Sequence, residues 1–84
     1  MTSEDEILTP QEYATLHTKA FREGFNFLNA HFPPVFDSKW WEKTYTDVNA
    51  VLDRNKGNEM LTEMMVAVVT YLEEECRKRK EGPA

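Results

Sequence analysis

At 84 residues and 9.8 kDa, 40% of them hydrophobic and 30% charged, the chain has material for one globular domain and not for two independent cores. A net charge of −5 argues against general nucleic-acid binding, and the single cysteine, Cys76, excludes an internal disulfide framework and a Cys-based zinc site. No apolar run approaches the roughly 20 residues of a membrane span, and the acidic start Met1–Glu6 lacks the pattern of an export signal, so a cytoplasmic protein is expected.

The charge is unevenly spread: residues 1–8 contribute −3, residues 9–57 balance, and residues 58–84 contribute −2. Residues 1–8 read as a disordered acidic N-terminus ahead of a single three-helix domain over 9–81. The first helix, about 10–31, opens on Thr9-Pro10-Gln11-Glu12, a capping box with proline at the first helical position. Leu8 and Tyr13 stand where a hydrophobic staple would fix the entry of the chain. Tyr13, Leu16, His17, Ala20, Phe21, Gly24, Phe25, Phe27, Leu28, His31 and Phe32 fall in one half of the helical wheel, a stripe broad enough for two neighbours. Gly24 costs the helix about 1 kcal/mol relative to alanine, which points to close approach by another element, expected from helix two.

Pro33-Pro34 ends this helix, and Val35 and Phe36 are expected to tuck into one end of the core. Asp37 or Ser38 caps a second helix, about 38–56, with Trp41, Thr44, Tyr45, Val48, Val51 and Leu52 inward and Gly57 as its terminating glycine. Adjacent side chains diverge by about 100°, so only one of Trp40 and Trp41 can enter the core. The other covers the Phe32–Phe36 loop or anchors an interface. Asn58 caps a third helix, about 59–80, whose inward residues are Met60, Leu61, Met64, Met65, Ala67, Val68, Tyr71, Leu72 and Cys76. Short links make the three helices antiparallel neighbours, an all-α up-down-up bundle.

The pattern offers little chemistry. His17 and His31 lie about 21 Å apart along one helix and cannot share a metal, and they read as core-edge histidines bonded to backbone or carboxylate; a pH switch at His17 is the alternative. Cys76 reads as a packed thiol. No nucleophile–base arrangement and no phosphate-cradling glycine loop is present, so no catalytic residue, metal or cofactor is assigned and the chain reads as non-enzymatic. In the tract Glu73–Lys80, Glu73–Arg77, Glu74–Lys78 and Glu75–Arg79 are spaced as self-paired i,i+4 couples. Arg77, Lys78, Arg79 and Lys80 are nevertheless the candidate contacts for a polyanion, with Arg54 and Lys56 beside them in a nucleic-acid reading.

The apolar surplus is the strongest functional hint. Three broad stripes exceed what a small bundle covers, particularly around Phe25, Trp40, Val66 and Val69, which are the candidate interface for a protein partner or a homodimer. A small-ligand cavity beside Gly24 and the methionines is a third reading. The run Ala20-Phe21, Phe25-Asn26-Phe27-Leu28-Asn29, His31-Phe32-Pro33-Pro34 with Trp40-Trp41 resembles small uncharacterised helical proteins of conjugative transposons and other mobile elements of Gram-positive bacteria. That resemblance spans about residues 9–80 and implies a cytoplasmic accessory protein; it carries no functional residues across.

Overall fold

The computed structural model describes residues 8–81, with side chains through residue 79; the acidic segment expected to be disordered falls, up to residue 7, outside the described residues. Three helices, α1 (Pro10–Ala30), α2 (Ser38–Arg54) and α3 (Glu59–Glu81), form an all-α bundle with no strand among the described residues. The capping chemistry is local and legible. Thr9 Oγ1 accepts from the Glu12 amide while the Glu12 carboxylate accepts from the Thr9 amide, completing the box at the head of α1. Asp37 caps α2 through the Lys39 amide.

Asn58 does more than cap. Its Oδ1 accepts from the Leu61 amide at the head of α3, and its Nδ2 donates to the Leu16 carbonyl of α1 at 2.9 Å. One buried side chain thus satisfies a helix start and fixes the level at which α3 meets α1. Gly24 then lies beside Met64, and Phe32 stacks on Tyr71 with ring centroids 6.0 Å apart. The contacts ascend together, so α1 and α3 run parallel. Arg54 pairs with Glu23 and Asp47 with His31, so α2 runs antiparallel to α1. This is the up-down-up topology.

The core is a narrow spine: Ala20, Phe27, Val51, Leu61, Met65, Val68 and Leu72. Leu28, Trp41, Val48, Leu52 and Met64 pack against it half-buried. The molecule measures 52 × 22 × 21 Å, and its radius of gyration of 15.7 Å exceeds the roughly 12 Å of a compact chain this long. An elongated shape leaves much apolar surface uncovered.

Several expectations are corrected. The neighbour of Gly24 comes from α3 and not from α2: a Cβ at Gly24 would lie 2.5 Å from Met64 Sδ. Val35 and Phe36 do not enter the core; Phe36 is 68% exposed, and Pro34, after the cis Phe32–Pro33 peptide, is the buried residue of that link. The helix α2 ends at Arg54, two residues short of the expected end, with Asn55 as cap, so Gly57, at φ +88°, turns the chain at the second residue past the cap and not the first. Asn55 ends α2 by folding back, its Nδ2 donating to the Val51 carbonyl at 2.8 Å. Both tryptophans are half-buried: Trp41 reaches the core, while Trp40 packs edge-on against it and turns toward His31, 6.3 Å away.

Candidate functional site

Which faces of α1 and α3 are covered follows from where α2 sits. On α1 the α2 side carries Glu23 and His31, and on α3 it carries Val66, Val69 and Glu73. Stepping 100° per residue, Phe21 and Phe25 lie on the other side of α1, and Met60, Met64, Ala67 and Tyr71 on the other side of α3; Phe32, in the link after α1, joins them by stacking on Tyr71. Contacts join these two sets across the helix pair: Met64 against Gly24, and Tyr71 on Phe32. The result is one apolar face, spanning α1 and α3 and turned away from α2. Its exposure is large for such residues: Phe25 65%, Phe21 59%, Tyr71 46%, Phe32 38% and Met60 37%.

Gly24 makes this face possible. Without a Cβ at that position, the Met64 side chain packs directly against the α1 backbone at Gly24.

The α2 side is built from different chemistry. Phe27 stacks on His31 with centroids 3.9 Å apart; His31 Nδ1 lies 2.8 Å from the Phe27 carbonyl and Nε2 lies 2.9 Å from Asp47 Oδ2. Both neighbours are acceptors, so both bonds form together when the imidazole carries two protons. Lys43 Nζ lies 3.1 Å from the same carboxylate oxygen. The hydrogen bond from His31, with Lys43 adding to it, holds the Asp47 carboxyl below the usual carboxylate range. A groove of about 290 Å³ runs between this cluster and the Glu23–Arg54 pair. On the α3 side Tyr45 donates to Glu73 Oε2 at 2.6 Å, and that bond, with burial, pushes the phenol up to about 12.

The residues singled out from the sequence do not form one patch. Phe25 belongs to the open α1/α3 face, whereas Val66 and Val69 line an apolar groove of about 210 Å³ between α2 and α3, facing Val48 and Leu52. Trp40 stands at the far end of the α1/α2 seam. A helical wheel gives each helix an apolar arc, but only the tertiary arrangement shows which arcs adjoin. Phe21, Phe32, Met60 and Tyr71 were read as inward because they share the stripe; the usable signal was its width, about half of the wheel on α1 and more than half on α3 once Val66 and Val69 are counted.

In the basic tract the i,i+4 pairs are replaced by i,i+3 pairs: Arg77 bonds Glu74, and Lys78 Nζ lies 3.3 Å from Glu75 Oε2. Glu73 is taken by Tyr45, and the Arg79 guanidinium sits 5.3 Å from the centroid of the Phe32 ring. Arg77, Lys78 and Arg79 are each engaged within the molecule, and the Lys80 side chain lies outside the described residues. His17 stacks on Tyr13 at the exposed start of α1. Cys76 is buried beside a groove of about 370 Å³ lined by Phe36, Trp41 and Tyr45. Among the described residues no three His, Cys, Asp or Glu side chains converge on a point that could hold a metal ion.

The fold and this face define an all-α three-helix bundle with one aromatic side left uncovered, and no described helix is long and apolar enough to cross a membrane. No family model fits the sequence, and neither a curated protein nor a solved structure matches it.

Proposed function

We propose that the protein is a non-enzymatic contact module that docks a protein partner on the open α1/α3 face. The observation that supports this reading is the run of exposed rings, Phe21 and Phe25 on α1, Phe32 in the link after it and Tyr71 on α3, above two helices held together by a packed spine. The largest exposed apolar patch of a small protein is often functional, and aromatic side chains are what contact sites use as anchors. The chemistry elsewhere favours no reaction: the partners of His31 are a backbone carbonyl, a carboxylate and rings, and Cys76 is buried. The resemblance to small proteins of conjugative transposons sets this contact in a cytoplasmic accessory role for a mobile element.

The test is a photo-reactive phenylalanine analogue placed at Phe25 and, as control, at Asp53 on the exposed side of α2. Irradiation in extract of the cells that make the protein is expected to give a protein adduct from position 25 and none from position 53. Position 25 yielding no adduct, or both positions yielding the same ones, removes the reading.

A further inference from the structure

We infer that the occupant of the α1/α3 face is a second copy of this chain, laid on it about a two-fold axis parallel to the helices, so that α1 of each protomer covers α3 of the other. This rests on the docking reading above and names its partner.

Area and charge carry the inference. An aromatic side chain presents about 150–250 Å², so the exposed fractions of Phe21, Phe25, Phe32 and Tyr71 amount to roughly 300–500 Å² on one protomer. Doubled across a self-complementary contact, that is about half of a standard interface of about 1,600 Å² before any rim residue is counted.

The rims of the face carry opposite charge at the same height. Arg22 borders the α1 edge, one turn before Phe25, and Glu63 borders the α3 edge, one turn from both Met60 and Ala67. The Leu16–Asn58 and Gly24–Met64 contacts set residue 22 level with residue 63. Both side chains are exposed, and neither forms an ion pair among the described residues. A two-fold axis along the helices exchanges the two edges, so Arg22 of one protomer meets the partner's Glu63, and the reverse. A two-fold axis across the helices would instead lay α1 on α1, basic edge on basic edge and acidic on acidic. An isologous contact of the first kind buries the rings in its centre and closes both edges with opposite charges.

Sedimentation equilibrium of the full chain, from micromolar to millimolar concentration, tests this with four variants. Wild type is expected to dimerise. Phe25→Gln is expected to weaken the dimer at least tenfold, with an unfolding midpoint equal to that of wild type at concentrations where both are monomeric, since that ring contributes little to the monomer core. Arg22→Glu and Glu63→Arg are each expected to weaken it several-fold, and the double exchange to restore it to near wild-type strength. A wild type that stays monomeric overturns the second copy; if position 25 still captures a different protein, the docking reading survives it. A dimer that ignores Phe25→Gln overturns both. A dimer weakened by Phe25→Gln but not restored by the double exchange overturns the two-fold arrangement.

Discussion

On one flank of α3, Val66, Val69 and Glu73 look across to Val48, Leu52 and Tyr45 of α2; on the other, Met60, Ala67 and Tyr71 look past α1 into solvent. The two flanks differ little in apolar content. What separates them is that α2 lies against the first and no described helix lies against the second. Even the covered flank is only partly closed, because α2 contributes just Thr44 and Val51 to the buried residues and otherwise reaches its neighbours through the half-buried Trp41, Val48 and Leu52 and through side-chain bridges. Hydropathy periodicity reports how wide an apolar arc is. The number of neighbours available to cover it is a property of the whole chain.

The sharpest division is between the spine that both flanks share and the rings above it. Leu61 is 0% exposed beneath α1, and Leu61→Ala is expected to destabilise the fold by about 2–5 kcal/mol in urea unfolding. Phe25→Gln on the open flank should stay within about 0.5 kcal/mol of wild type in the same assay at concentrations where the chain is monomeric. Similar costs at the two positions would erase the distinction.

Gly24 gives a smaller and more specific probe. Alanine there gains about 1 kcal/mol of helix propensity but collides with the Met64 side chain. Gly24→Ala should therefore be more favourable by about 1 kcal/mol in a Met64→Ala background than in wild type. An equal effect in both backgrounds would show that Met64 is not what the glycine accommodates.

The smallest effect lies on the α2 side. The Asp47 carboxyl is held below its ordinary range by His31 and Lys43, so its folded value lies below its unfolded one. The stabilisation is then fully present above the ordinary carboxylate value of about 4 and is lost as pH falls through the folded value. Asp47→Asn is expected to cost less than about 1 kcal/mol at neutral pH, with the gap to wild type closing in strongly acidic solution. A gap that widens on acidification contradicts the sign.

The helices were legible because their signals are local. Thr9 and Glu12, Asp37 and Asn58 sit where capping requires them, and Pro33-Pro34 allows no continuation of α1. The contact face was legible only in part. Phe25 was found because the stripe was too wide, yet Val66, Val69 and Trp40 belong to other seams. Their assignment depends on the handedness with which α2 is laid against the α1/α3 pair, which no periodicity encodes. The ion pairs of the α3 tail failed for a related reason. Spacing allows both i,i+3 and i,i+4 partners, and the choice was made by Tyr45 and Phe32, which claim Glu73 and Arg79 from outside the helix.

The stagger set by Asn58 has a consequence at the opposite end of the molecule. Because α3 starts level with Leu16, the first two turns of α1 extend beyond both other helices, and residues 9–15 are all exposed. Among the described residues, no side chain of α2 or α3 covers that stub. It persists as helix by extending a turn already nucleated downstream, held at its tip by the Thr9–Glu12 box. Its amides should surrender their protons to deuterated solvent well before those of the Ala20–Phe27 stretch, so that α1 unzips from one end while the rest of the rod stays shut.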